Sequence, residues 1–240
     1  MATKSSELLI DSVYARLRKL IISNVLRAGQ KLVDRDLAEQ LGVSRTPVRE
    51  ALGRLAMMDL VEARSRQGYY VKEYSAKQVS DLYEFRKMLE VHAARLAAQN
   101  SQASHLREFD RILADSEKLA ADPTNYADML KLELELHELI ARASGNDSLH
   151  QAIQNLMDRV MGFIWVEATT DKEMLTAAHN DHQALINLIK EGNAEGAADS
   201  IRVHIEDAQK TLESAFRTRD DLRNVVLAAT PPKKVGDGNI

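Results

Sequence analysis

Apolar side chains recur at helical spacing near the N-terminal end of the chain. From Asp11 to Leu26 they fall on one helix face, behind a polar N-cap. A short second helix follows, with Asp34 assigned as its N-cap, and Gly42 ends it before Ser44 caps a third helix. Two short helices joined by a tight turn that contains glycine are typical of a helix-turn-helix motif.

A β-hairpin is predicted after the third helix. Leu60 and Val61 begin one apolar run, and Tyr69 to Val71 form another. The segment between the two runs is mostly polar and ends in Gly68, as expected of a turn between strands. Together with the three helices, this hairpin predicts a winged helix-turn-helix domain over residues 1–74.

The next segment, residues 75–227, is predicted to be an all-α domain. Turn or capping residues separate its helical stretches, and no β-rich run interrupts them. The stretches run from Ala76 to Asn100, Gln102 to Ala121, Thr124 to Ser144, Asp147 to Trp165, Lys172 to Glu191 and Ala194 to Arg219. The fold class is therefore mainly α, a winged helix-turn-helix followed by an all-α bundle of six or seven helices. The tail over residues 228–240 has no periodicity and is predicted to be disordered.

Charge is divided unevenly between these parts. Residues 1–75 carry 13 Lys and Arg against 9 Asp and Glu, and the remainder carries 19 against 27. The basic part is thus a candidate for binding phosphate backbones. The absence of cysteine excludes disulfides, thiolate metal sites and cysteine nucleophiles. Because the sequence contains neither a long apolar run nor a recognisable export signal, we expect a cytoplasmic protein with no membrane partner.

Candidate DNA contacts cluster around the start of the third helix. In a helix-turn-helix, the N-terminal residues of the second helix of the motif reach base edges in the major groove. Arginine suits a bidentate contact with guanine, and small hydroxyls can bond phosphate or base. The predicted DNA-binding residues are Arg35, Ser44, Arg45, Thr46, Arg49 and Gly68. Because one recognition helix reads few base pairs, we expect a homodimer on a pseudo-palindromic double-stranded operator.

The stretch AGQKLVDRDLAEQLGVSRTPVREALGRLAMMDLVEARSRQGYYV resembles the GntR superfamily of bacterial transcription regulators. Within it, SRTPVREAL is a highly specific motif. The resemblance implies that the residues matching Arg35, Arg45 and Arg49 contact DNA and that Ser44, Thr46 and Gly68 add backbone or groove contacts.

A second group of candidates lies in the helical domain. Glu133 and His137 stand four residues apart, so both project from one helix face. His182 and His204 lie on consecutive predicted helices that a short turn joins. Three imidazoles and one carboxylate, without any thiolate, suit a divalent cation such as Zn, Ni, Mn or Fe.

The helical domain resembles the FCD effector domain of the FadR branch of the superfamily, over about Ser80 to Ala215. Metal-binding members carry an acidic residue four positions before a histidine and two further histidines on a helix pair. The resemblance implies Glu133, His137, His182 and His204 as ligands, although the family usually has Asp at the position of Glu133. Arg86 matches an arginine that could bind an effector carboxylate, but an ion pair with Glu90 is equally compatible with the sequence.

These features predict a transcription regulator, expected to be a repressor, and not an enzyme. Its effector is expected to be a small organic acid or sugar acid that binds at the divalent metal. One alternative is a DNA-binding dimer whose helical domain is a scaffold with a structural metal or none. Another is a metalloenzyme fused to a DNA-binding domain, although the sequence reveals no positioned general base.

Overall fold

A computed structural model describes the backbone of residues 2–120, 126–170 and 172–218 and the side chains of 7–119, 128–160 and 181–213. The described residues divide into two compact units, one ending at Tyr74 and the other beginning at Ser75. The predicted disordered tail, residues 228–240, lies outside the described residues.

Helices and short strands alternate in the first unit. Its elements are α1 (Ala2–Ile22), β1 (Lys31–Leu32), α2 (Asp34–Leu41), α3 (Arg45–Met57), β2 (Val61–Arg64) and β3 (Gly68–Val71). The strands form an antiparallel sheet in the order β1-β3-β2, in which Val61 pairs with Val71 and Leu32 pairs with Tyr69. This arrangement confirms the predicted winged helix-turn-helix.

The core of this unit fixes the orientation of α3. Leu17 of α1 and Val48, Leu52 and Leu55 of α3 are completely buried. Burial of one α3 face at helical spacing leaves the opposite face exposed. A core of this kind loses about 2–5 kcal/mol on truncation of one leucine to alanine, so the position of α3 depends on these contacts.

Several predicted boundaries in this unit are wrong. The first helix begins at Ala2 instead of Asp11 and ends at Ile22, before Leu26, because Asn24 adopts a left-handed conformation at φ 55°. Val33, in an extended conformation, is the N-cap of α2, and Asp34 is the first helical residue. A carboxylate in the first turn is favoured by the positive end of the helix dipole. Strand β1 was not predicted, since two residues are too few to show an alternating pattern.

The second unit is entirely helical within the described residues. Its helices are α4 (Ala76–Asn100), α5 (Ala103–Ala120), α6 (Tyr126–Ala143), α7 (Asp147–Thr170), α8 (Lys172–Lys190) and α9 (Ala194–Thr218). Helix α7 continues past the predicted end at Trp165. These elements confirm the predicted mainly α fold class.

Helix α4 occupies the centre of the second unit, where it packs against α6, α7, α8 and α9. It begins with a capping box, in which the Ser75 hydroxyl accepts from the Gln78 backbone N–H and the Gln78 side chain accepts from the Ser75 backbone N–H. Ala93, Ala94 and Ala97 are completely buried. Such small side chains let neighbouring helices approach α4 closely.

Candidate DNA-binding surface and metal centre

The start of α3 presents polar side chains to solvent. Ser44 is the N-cap, with φ −74° and ψ 165°, and its hydroxyl makes no capping hydrogen bond to the helix. Pro47 and Val48 are buried, whereas the Arg45 and Arg49 side chains are 62% and 69% exposed. Two guanidinium groups beside the positive end of a helix can bind phosphates and base edges.

Asp34 of α2 lies against both of these arginines. Arg45 donates from Nη2 to the two carboxylate oxygens of Asp34, at 3.2 and 3.0 Å. The Arg49 Nε atom is 4.0 Å from Asp34 Oδ2. The hydrogen bond from Arg45, assisted by the charges of Arg45 and Arg49, lowers the pKa of Asp34 despite the opposing effect of burial. Asp34, the first residue of α2, therefore remains charged beside Arg45 and Arg49.

The remaining predicted DNA contacts are also at the surface. Thr46 is exposed, and the Arg35 side chain, 77% exposed, pairs only with its neighbour Asp36, at 3.2 Å, among the ion pairs of the described residues. Gly68 has φ 97°, and the space where a Cβ would point is open. This conformation favours glycine and keeps the wing backbone accessible.

The two arginines of the wing differ from each other. Arg64 pairs with Glu62 at 2.9 Å and stacks over the Tyr70 ring, with its Cζ atom 4.3 Å from the ring centroid. Arg66 is exposed at the tip in a left-handed conformation. Arg64 therefore stabilises the hairpin, whereas Arg66 projects from it.

The four predicted metal ligands of the second unit lie together. Their candidate ligand atoms are all within 4.8 Å of one another, although they come from three helices, Glu133 and His137 from α6, His182 from α8 and His204 from α9. The Nε2 atoms of the three histidines face the Glu133 carboxylate, at 2.9 Å for His137, 2.9 Å for His182 and 3.1 Å for His204. All three histidines are buried, and the side chain of Glu133 is 14% exposed.

A buried ion pair lies directly behind this cluster. Arg86 donates from Nε to Glu90 Oε1 at 2.6 Å, and both side chains are 1% exposed. The other oxygen of Glu90 makes a short hydrogen bond with His137 Nδ1. Arg86 Nη2 is 2.9 Å from His137 Nε2. The ion pair that the sequence left open is thus present, and its guanidinium also reaches the cluster.

Comparison with known families identifies both domains. Residues 9–71 match the family described as bacterial regulatory proteins of the gntR family, and residues 81–207 match the FCD domain. The FCD match covers more than half of the chain. The chain belongs to the GntR family and carries an FCD domain. It is accordingly a DNA-binding transcription regulator.

Two relatives of this GntR-family regulator align with it over most of their length. The Nta operon transcriptional regulator of Aminobacter aminovorans is 29% identical over 78% of this chain and 86% of the relative. The probable D-xylose utilization operon transcriptional repressor of Paenarthrobacter nicotinovorans is 29% identical over 85% of this chain and 91% of the relative. Both relatives are named as transcriptional regulators, which agrees with the regulator predicted for this chain.

Solved structures agree with the fold of the GntR-family regulator. E. coli McbR/YncC superimposes with a TM-score of 0.78 at 23% sequence identity, over 87% of this chain and 98% of that structure. Across the described residues, no helix combines the length and the apolar character needed to cross a membrane.

The donor set of the FCD domain fits a divalent cation. Among the described residues, buried His182 Nε2 has no hydrogen-bond partner, although Glu133 Oε2 lies 2.9 Å away. An orphaned imidazole nitrogen that faces a carboxylate and two more imidazoles provides the nitrogen and oxygen ligands that zinc and related metals accept. The residues therefore fit the metal that the sequence predicted.

Electrostatic coupling among these groups is strong. Burial raises the pKa of Glu133, but the neighbouring histidines outweigh it and hold the pKa well below its usual range. Burial lowers the pKa of His204. For His137, burial is outweighed by the charge of Glu90, which raises the pKa to about 9. For Glu90, burial is outweighed by His137 and Arg86, which lower the pKa to about 2.

Sequence reasoning missed the roles of two carboxylates in this regulator. Asp34 was assigned as a helix cap, and Glu90 was considered only as an alternative partner of Arg86. The spacing of Arg86 and Glu90, one helical turn apart, signalled their ion pair. No local signal connects Glu90 with His137 or Asp34 with Arg45, because each pair joins two different helices.

Proposed function

We propose that this GntR-family regulator is a cytoplasmic repressor whose operator affinity is controlled by a small carboxylate bound at a divalent-metal site. Two copies would bind a pseudo-palindromic operator through Arg35, Ser44, Arg45, Thr46, Arg49 and Gly68. The repressor assignment is supported by the D-xylose operon relative, which is named as one.

One observation carries the sensory part of the proposal. The Nε2 atoms of three buried histidines converge on Glu133, and the guanidinium of Arg86 lies 2.9 Å from one of them. Glu133, His137, His182 and His204 would hold the cation, taken from Zn, Ni, Mn or Fe. When bound, the cation supplies a Lewis acid for an oxygen of an organic or sugar acid.

Arg86 would bind the other oxygen of that acid. Its Nε is occupied by Glu90, but its Nη2 faces the cluster. A guanidinium donates to carboxylates with high specificity. The effector changes operator affinity only as far as it binds the DNA-competent and DNA-incompetent states with different affinity.

The first experiment measures metal content in the untagged protein by elemental analysis. We expect about one cation per chain in the wild type and its loss in a His182→Ala/His204→Ala variant, because two of the four ligands are removed. His150→Ala is the matched control, since His150 is a partly buried histidine outside the cluster. Equal metal content in all three proteins would contradict the ligand assignment.

A second experiment tests the operator and effector. Duplexes selected by the wild type from a random library supply the DNA probe, and anisotropy measures its affinity with a panel of small acids. An acid should weaken binding of the metal-loaded wild type and not of the His182→Ala/His204→Ala variant. If acids act equally on both, the effector does not bind through the metal.

A further inference from the structure

Glu90 is a buried carboxylate with both oxygens occupied. Oε1 accepts from Arg86 Nε at 2.6 Å, one helical turn away on α4. Oε2 bonds to Nδ1 of His137, which lies on α6. The side chain is 1% exposed, so these two partners replace its contacts with water.

The two ring nitrogens of His137 face different groups. Nδ1 faces Glu90, and Nε2 faces Glu133 Oε1 at 2.9 Å and Arg86 Nη2 at 2.9 Å. When the ring is charged, both nitrogens donate to carboxylates. When Nε2 carries no hydrogen, its lone pair is available to Arg86 or to a cation. Nδ1–H donates to Glu90 in either case, so Glu90 fixes the ring whatever occupies Nε2.

An ion pair with Arg86 explains only half of this arrangement. It requires one oxygen of Glu90, whereas the second oxygen contacts a side chain on a different helix. A buried ion pair is also weak evidence of a stabilising role, since replacing it by packed apolar residues is often neutral or favourable. Among the ligand candidates in the described residues, only His137 has a carboxylate at its Nδ1.

From these contacts we infer that Glu90 is a positioning residue of the metal centre, which holds His137 with Nε2 directed at the cation and holds Arg86 beside it. The inference rests on the proposed metal site. A histidine ligand whose other nitrogen donates to a carboxylate has a fixed tautomer and orientation and is a stronger ligand. One side chain outside the ligand set thereby places both a metal ligand and the effector-binding arginine.

The test uses Co²⁺ as the probe, because its visible absorption reports both affinity and coordination geometry. An Arg86→Met background avoids leaving an unpaired buried guanidinium when Glu90 is changed. Arg86→Met alone should bind Co²⁺ at least as tightly as the wild type, because it removes a positive charge near the site. Adding Glu90→Leu should weaken binding about 10- to 100-fold and change the spectrum.

Glu90→Gln in the same background separates positioning from charge. The amide oxygen can accept from His137 Nδ1–H, so positioning predicts Co²⁺ affinity between those of Arg86→Met and Arg86→Met/Glu90→Leu. A purely electrostatic effect predicts that Glu90→Gln weakens binding as much as Glu90→Leu, which would overturn the inference. Because the glutamine variant keeps a polar group of the same size, it also remains testable if the leucine variant does not fold.

The matched control removes an exposed ion pair that also includes an arginine of α4. Arg95 donates to Glu195 through two hydrogen bonds of 2.8 Å, and Arg95→Met/Glu195→Leu should leave the Co²⁺ spectrum unchanged. If Arg86→Met/Glu90→Leu binds Co²⁺ as tightly as Arg86→Met, with the same spectrum, the positioning role is overturned and the metal centre stands. A wild type that binds no Co²⁺ overturns both.

Discussion

The DNA-binding unit and the helical unit each contain an arginine held by a carboxylate, in opposite surroundings. In the first unit, the side chains of Arg45 and Asp34 are 62% and 23% exposed. In the second, those of Arg86 and Glu90 are both 1% exposed. A solvated ion pair exchanges partners at little cost in free energy. A buried ion pair keeps its partners, because separating them leaves a desolvated charge.

This difference matches the two tasks. In the proposed function, DNA contact would require Arg45 to leave Asp34 for a phosphate or a base, and the solvation of the pair lowers the free-energy cost of that exchange. The proposed metal centre would require side chains that keep one geometry, and burial of Arg86 and Glu90 favours such a fixed arrangement. An arginine–carboxylate pair is thus free to exchange partners at the surface of the first unit and is held in one arrangement inside the second.

The largest expected effect comes from breaking the buried pair. Glu90→Leu alone leaves Arg86 desolvated without its carboxylate, and we expect the free energy of unfolding to fall by about 3–5 kcal/mol. Urea denaturation in the presence of a chelator measures this value. Glu195→Leu, which breaks the exposed pair with Arg95, should have little effect. Equal losses in the two variants would remove the contrast between buried and exposed pairs.

The next largest expected effect is a dependence of the free energy of unfolding on pH, which arises in the second unit. In the metal-free protein, the pKa of His137 is raised to about 9 from an ordinary 6.5. Its stabilising contribution is therefore complete below about pH 6.5 and lost as the pH rises through about 9, with a slope of no more than about 1.4 kcal/mol per pH unit. Unfolding of chelator-treated protein between pH 6 and pH 9.5 measures the slope, and His137→Gln should flatten it.

At the acid end the sign is reversed. The pKa of Glu90 is lowered to about 2 from an ordinary 4.5, so its contribution is complete above about pH 4.5 and lost as the pH falls through about 2. A wild type whose stability stays constant from pH 6 to pH 9.5 would contradict the coupling between His137 and Glu90.

A smaller effect is expected at the recognition helix. Arg45→Ala should reduce the free energy of binding to the selected operator by about 1–3 kcal/mol, because a base or phosphate loses its guanidinium partner. Anisotropy measures the change. Arg54→Ala is the control, since Arg54 lies in the last turn of the same helix and pairs with Asp11 at 2.6 Å. If both variants bind alike, the start of α3 does not read the operator.

The smallest effect on stability is expected at Asp34. Asp34→Asn should change the free energy of unfolding by less than about 1 kcal/mol, because its pair with Arg45 is largely solvated. Affinity for a scrambled duplex should rise, since a negative charge that faces DNA is removed. Asp11→Asn is the control, because Asp11 pairs with Arg54 in the last turn of α3. Unchanged affinity in Asp34→Asn would show that the exposed pair does not restrain nonspecific binding.

Periodicity predicted most of the fold because each helix buries one face and ends at a recognisable turn. The beginning of α1 could not be located this way, because residues 3–7 are polar and Leu8 and Leu9 are exposed, so no buried stripe marks the start of the helix. The C-terminal end of α7 was also placed too early, at Trp165 instead of Thr170. Strand β1 was missed because a segment of two residues carries too little pattern.

The prediction of the candidate metal site met the same limit. Glu133 and His137 are visible from their spacing on one helix, and His182 and His204 from their positions on a predicted helix pair. Resemblance to a family strengthened the connection between the two pairs. The role of Glu90 could not be predicted from the sequence, because its contact with His137 exists only once α4 and α6 are packed. Contacts between distant helices depend on the tertiary fold and not on spacing.

The origin of the cluster in three helices has a topological consequence. All of α7 lies in the stretch of chain between His137 and His182, and one ion bound by both would close that long loop in the native state. In a chain without cysteine, such an ion is a removable cross-link between α6, α8 and α9. Its strength is not fixed like that of a disulfide but grows with the logarithm of the free metal concentration, so the metal supply of the cell would set how firmly these helices are joined.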